Sequence, residues 1–189
     1  MPSNWVMGID PSLTGFAVCV AESPTDFKTE RWTSHFLGTG IAARIDRMLP
    51  LVENVMEIVD KYNPSVICIE GYSFGSNVSG VTERVELGGI LRADLVNDNR
   101  AALYEVAPTT LKKFCTGTGK GDKVAMIACM TKRWGVEFYD SDRYDAYGLT
   151  RMALCLAKLV EPDSDAQRQA IESVLRGPKA KGVKRHGRS

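Results

Sequence analysis

Four acids stand at positions where a carboxylate is costly. The stretch VMGID, residues 6–10, is apolar until Asp10, and SVICIE, residues 65–70, is apolar until Glu70. An acid ending a core strand must be paired or hold a cation, because desolvating it alone is expensive. In DSDRYDAYGLTRMALCLAKLV, Asp142, Asp145, Leu149, Met152 and Leu156 recur at spacings of 3, 4, 3 and 4, which is one face of a helix. Asp142 suits a helix N-cap. Asp145 lies a turn further in, on the apolar side, where it either pairs with a basic side chain or binds metal. The chain has only two histidines, His35 and His186, so the acids suit a hard divalent ion with oxygen ligands, Mg²⁺ or Mn²⁺. Two such ions roughly 3.5–4 Å apart activate a water and stabilise the leaving oxygen of a phosphodiester.

The elements that must position these acids follow from hydrophobic period and turn residues. Strands are expected at about 5–10, 15–21 and 30–37, the first two joined by the turn DPSLTG. A helix over about 42–62 has the apolar face Ile45, Met48, Leu49, Val52, Val55, Met56 and Val59, and Asn63-Pro64 ends it. SVICIE is a buried strand, and the Gly/Ser-rich loop GYSFGSNVSG leads to a helix at about 81–97. AALYEVA is a further buried strand, PTTLKKF a short helical turn with Pro108 first, and the loop CTGTGKG opens a helix over about 122–134. The last helix runs from about 142 to 160. This order gives an α/β domain with a mixed sheet. A right-handed crossover through the 42–62 helix makes the first and fourth strands parallel. Asp10 and Glu70 then leave the same edge of the sheet, where sites in open α/β sheets lie.

Composition bounds the function classes. At 189 residues and 44% hydrophobic content the chain fits one domain, read as 1–160, with an extension, 161–189, that ends in a basic, disordered tail. No apolar run nears the roughly 18 residues of a membrane span, and the N-terminal stretch lacks the shape of a signal peptide. The cysteines (Cys19, Cys68, Cys115, Cys129 and Cys155) are odd in number and without a C-x-x-C pair. They point to reduced thiols and a cytoplasmic setting rather than disulfides or zinc. Residues 176–189 carry six Lys/Arg and no acid, leaving −5 on residues 1–175. Such a tail is solvated, and it also suits neutralising the phosphates of nucleic acid.

The segments GIDPSLTGFAV, ICIEGYSF, VAPTTLKKFCTGTGKGDKVAMI and DSDRYDAYGLTRMAL, in that order over about residues 1–160, resemble the RuvC family of Holliday junction resolvases, within the ribonuclease H-like superfamily. The resemblance implies a ribonuclease H-like fold with a five-stranded mixed sheet flanked by helices. It also implies a homodimeric, Mg²⁺-dependent crossover junction endonuclease, in which Mn²⁺ would substitute. Its substrates would be four-way junctions and other branched DNA such as forks or three-way junctions. By motif, Asp10, Glu70, Asp142 and Asp145 are its metal ligands, and Lys112 and Lys123 match the basic residues near the scissile phosphate. Two departures stand out. The turn in GIDPSLTG is shorter than the bacterial pattern, with Ser12 where glycine is usual. GYSFGSN also shifts the aromatic that stacks on an opened junction, leaving Tyr72 and Phe74 as candidates. Lys112, Lys113, Lys120 and Lys123 complete the candidate DNA contacts. The compact chain and basic tail suit a phage-encoded member acting in the bacterial cytoplasm. In-line attack by water would leave 5′-phosphate and 3′-hydroxyl ends.

Rival readings are weaker. GYSFG, residues 71–75, matches the G-x-S-x-G nucleophile elbow. With Ser73 as nucleophile, however, the only later histidine is His186, in the tail, and a triad without a fixed base does not work. GTGKGDK fails the Walker template, although its glycines and lysines before a helix suit a backbone phosphate. An actin-like ATPase or sugar kinase needs two domains. A junction-binding protein that does not cut would not need two acids on a buried helical stripe. Two matched cuts call for two sites, hence a two-fold dimer. The 81–97 helix, with Val81, Val85, Gly88, Gly89 and Leu91, is its candidate surface, in the region the resemblance also implies.

Overall fold

A computed structural model describes residues 3–34, 39–72 and 81–177. Three antiparallel strands open the chain: β1 (Val6–Asp10), β2 (Phe16–Ala21) and β3 (Phe27–Trp32). Helix α1 (Gly40–Tyr62) crosses over to β4 (Val66–Glu70), and α2 (Val81–Asp98) to β5 (Ala102–Val106). Then come α3 (Pro108–Thr116), α4 (Lys123–Trp134), α5 (Ser141–Leu156) and α6 (Asp165–Arg176). The sheet order is β3-β2-β1-β4-β5, with β1–β4 and β4–β5 parallel. This is the expected α/β architecture: a mixed five-stranded sheet flanked by helices.

Strand alternation sorts the core into two layers. Met7, Ile9, Phe16, Val18, Ile67 and Ile69 face α1 and α2, while Val6, Ala17, Cys19, Val66 and Cys68 share the other layer with α5. Helix α5 is the axis of that second layer, with every residue from Tyr144 to Leu154 buried. It approaches the sheet so closely that a Cβ on Gly8 of β1 would overlap the backbone oxygen of Ala146 and crowd Thr150. The Thr150 hydroxyl, which is buried, donates to both the Cys19 carbonyl of β2 and Ala146 of its own helix, each at 2.9 Å.

Several boundaries differ from the sequence reading. β3 begins at Phe27 and ends at Trp32, not 30–37, because it is paired in register with β2 from Ala21 back to Phe16. In α1, Leu51 is buried in place of Leu49, which is exposed. β5 is not a buried strand. It forms the edge of the sheet, and only Val106 is buried, since one side has no further strand to cover it. α5 stops at Leu156, where Lys158 takes a left-handed backbone. α6 lay within the stretch read only as an extension, and it packs Ala170, Ile171 and Val174 into the α5 layer. The tail from residue 178 onward lies outside the described residues.

Candidate active site

Strand register brings the first two acids together. Val6 to Ile9 of β1 pair in order with Val66 to Ile69 of β4, so Asp10 and Glu70 follow side by side. Both alternate with Ile9 and Ile69, which puts them on the α5 face of the sheet. The first turn of α5 arrives there with Asp142 and Asp145. Asp142 does not serve as the N-cap: Asp140 accepts from the Arg143 N–H and leaves the Asp142 carboxylate to the site. The four acids line one cavity of about 330 Å³ together with Ser12, Tyr72, Arg84, Lys112 and Lys123.

Burial and mutual repulsion set the electrostatics. Asp10 and Asp145 are each 8% exposed. Asp10 is held well above the usual carboxylate range, first by burial and then by Glu70, Asp145 and Asp142, with Lys123 opposing. Glu70 is pushed up to about 7 by burial and Asp145, against a hydrogen bond with Asp10 and the pull of Lys123 and Lys112. Burial raises Asp145 also, although Lys123 Nζ lies 2.6 Å from its Oδ2. Burial alone would lower Lys123. Asp145, Asp10 and Asp142 outweigh it and raise the ammonium's pKa.

Among the described residues, no three His, Cys, Asp or Glu side chains are arranged closely enough, as they stand, to hold one ion. The fit to a metal is one of donor type, burial and charge. Asp10, Glu70 and Asp145 are held above the usual carboxylate range first by burial and then by one another, against Lys123 and Lys112, and a divalent cation would relieve that strain.

The basic candidates divide. Lys112 lines the cavity, with Nζ 3.4 Å from the Gly121 carbonyl. Lys113 donates to Gln169 of α6 at 2.6 Å and is not part of the lining. Lys120 is exposed beyond it. Tyr72 lines the cavity, bonded through its hydroxyl to the Val85 carbonyl and with the Arg92 guanidinium 4.6 Å over its ring. Phe74, Ser73, His35 and His186 lie outside the described residues.

Three further residues take part in the site. Arg31 of β3 donates Nε to Asp142 Oδ2 at 2.9 Å. Arg92 donates to the Glu70 carbonyl and the Tyr72 hydroxyl. Gly15 leaves room for the Asp142 carboxylate, which a Cβ there would overlap. The glycine of a strand-joining turn was visible in DPSLTG. The two arginines act across 111 and 20–22 residues of sequence, beyond any local period.

Residues 6–136 match the family described as "Crossover junction endodeoxyribonuclease RuvC". The chain belongs to the RuvC family. Among relatives, a RuvC of Mycobacterium tuberculosis is 26% identical over 175 residues, covering 88% of this chain and 92% of that one. One of Caldicellulosiruptor saccharolyticus is 28% identical over 120 residues, covering 62% and 71%. The structure titled Thermus thermophilus RuvC in complex with Holliday junction substrate superposes with a TM-score of 0.64 at 14% identity, over 82% of this chain and 95% of that one. The yeast mitochondrial Holliday junction resolvase Ydc2 superposes at 0.52 with 20% identity, over 90% and 84%. At those identities the likeness shows the RuvC fold. Asp142 and Asp145 of this RuvC chain lie just beyond the matched span, so their assignment stands on the cavity they share with Asp10 and Glu70.

Proposed function

We propose that this RuvC chain is a crossover junction endodeoxyribonuclease that resolves Holliday junctions and related branched DNA by metal-dependent phosphodiester hydrolysis. The observation that carries the reading is the convergence of Asp10, Glu70, Asp142 and Asp145 on one cavity, with Lys112 and Lys123 on its wall. Relatives named as this enzyme support the reaction class, and nucleases of the family are metal-dependent. Mg²⁺, with Mn²⁺ as substitute, is the metal proposed from the all-oxygen donor set. When bound, two such ions supply a metal-activated water and a clamp on the leaving oxygen.

The protein's own groups do the rest. Asp10 and Glu70, at adjacent strand ends, and Asp145, on a helix buried from Tyr144 to Leu154, would draw together around the ions, since no three of the described acids meet on one point as they stand. Lys123 and Lys112 place positive charge where charge grows on the phosphorus oxygens. Tyr72, packed under the Arg92 guanidinium at the cavity wall, is the described aromatic residue that an unpaired base at the site would meet. Paired incision calls for two copies, and we assign the homodimer contact to the outer face of α2. Cleavage of one sequence presented as four-way, three-way and linear DNA, with and without Mg²⁺, tests the reading. The four-way form should be cut into nicked duplexes with 5′-phosphate ends. Binding without any cleavage, at all divalent ion concentrations, would instead favour a junction-binding protein.

A further inference from the structure

Strand register sets a row across the sheet. Asp10 of β1 pairs with Ala17 of β2, and Ala17 with Arg31 of β3. Ala17 lies on the α5 face, so by alternation its cross-strand neighbours Asp10 and Arg31 face α5 too. Ala17 is fully buried between them, and the first turn of α5 brings Asp142 to the Arg31 end of the row.

Arg31 is itself held. Its Nη2 donates to the Thr14 carbonyl at 2.9 Å and its Nη1 to the Thr33 hydroxyl at 3.3 Å, while the Thr33 hydroxyl also donates to Thr14 at 3.1 Å. A guanidinium anchored to the β1–β2 turn and to the exit of β3 then presents Nε to Asp142 Oδ2 at 2.9 Å, with Asp140 Oδ1 3.7 Å away. Gly15, with no Cβ, admits that oxygen. The other oxygen, Oδ1, lies 3.9 Å from Lys123 Nζ and, at 3.5 Å, accepts from the Ser141 hydroxyl. A planar guanidinium fixes direction where a lysine would supply only charge.

We propose that Arg31 is a positioning residue for the nuclease site. It occupies one oxygen of Asp142 and turns the other, Oδ1, as a single donor toward the metal site. The proposal rests on the reading of Asp142 as a ligand. Partners that orient a metal ligand typically change metal affinity by about 10–100-fold when removed, so the readout is metal binding by the protein alone.

Free Mn²⁺ would be counted by electron paramagnetic resonance in titrations of wild type, Arg31→Met, Arg31→Lys and Asp142→Asn, without DNA. Arg31→Met should weaken Mn²⁺ binding by about tenfold or more, with Arg31→Lys between it and wild type. The Mn²⁺ needed for half-maximal cleavage should rise in parallel, with the rate recovering at saturating metal. Unchanged affinity in Arg31→Met overturns the proposal. So does tighter binding, which would make Arg31 only a competing positive charge. If circular dichroism shows Arg31→Met unfolded, Arg31→Lys decides by the same criterion, and wild-type affinity there overturns the proposal. Asp142→Asn is the separate check on the site: wild-type Mn²⁺ binding in that variant would remove Asp142 from the ligands, and the proposal with it.

Discussion

At the scale of single residues, the site is a set of acids kept short of positive charge. Glu70, raised to about 7 by burial and by Asp145, makes a signed prediction for the metal-free protein. The folded chain keeps a proton that the unfolded chain, at a value near 4.5, has released. Between those two values the native state binds more protons, so stability falls as pH rises. Asp10 and Asp145, both raised, act in the same direction. In chelator, the melting temperature should fall from pH 5.5 to pH 8, and Glu70→Gln should flatten the slope. Mg²⁺ at pH 8 should restore what was lost. A metal-free protein that grows more stable across that window would show that these acids are not repelling one another. Asp145→Asn should keep the fold and junction binding while removing cleavage, read from nicked products on a labelled four-way junction. Full-rate cutting by that variant would displace Asp145 from the chemistry. Lys123→Ala should lower the cleavage rate by about 10²–10³-fold, the usual cost of removing one charge-stabilising donor, with little loss of junction affinity.

At the scale of elements, what was legible in the chain is what has a local period. Asp10 and Glu70 could be placed because VMGID and VICIE alternate and end alike, and a right-handed crossover makes them parallel. Asp145 could be placed because it continues a 3-4 stripe that buries Leu149 and Met152 completely. Arg31 could not, since its partner lies 111 residues away and its own strand, at intervals of two, shows only alternating partial burial. α6 escaped because Gln167 is among its buried residues beside Ala170, Ile171 and Val174, too few apolar positions to stand out in a polar stretch. β5 misled in the other direction: AALYEVA is apolar enough for a core strand, but at the sheet edge its side chains meet a neighbouring strand on one side only. Helix α3 carries a direct test. Lys112 points to the cavity and Lys113 to Gln169 of α6, so Lys112→Ala should slow cleavage while Lys113→Ala leaves the rate near wild type. The reverse order in single-turnover assays would mean that α3 presents its other face to DNA.

At the scale of the whole molecule, the question is what covers the outer face of α2. Leu87, Gly88, Leu91 and Leu95 of this helix are buried within the chain, so Leu91, expected on the dimer surface, belongs to the core instead. The two adjacent glycines have separate reasons. A Cβ on Gly88 would meet the Tyr72 ring and the Arg92 guanidinium, so Gly88 serves the site from within. A Cβ on Gly89 would meet nothing within 4 Å. Glycine in an open helical position costs about 1 kcal/mol relative to alanine, and nothing inside the described chain requires it. Gly89 is exposed, with Val96 62% exposed at helical spacing beyond it, while Val85, 41% exposed one turn earlier, also lines the active-site cavity. Gly89 and Val96 form a stripe of small and apolar residues that a second copy can approach closely, related by a two-fold axis. Gly89→Leu should therefore fold as well as wild type or better, yet shift sedimentation equilibrium at micromolar protein from dimer towards monomer. Paired incision of a four-way junction should then give way to single nicks. Gly88→Leu is the contrast: it should disturb Tyr72 and slow cutting by its own route. A Gly89→Leu protein that remains a dimer would move the interface off α2, and a wild-type monomer that still cuts both strands in concert would remove the need for one.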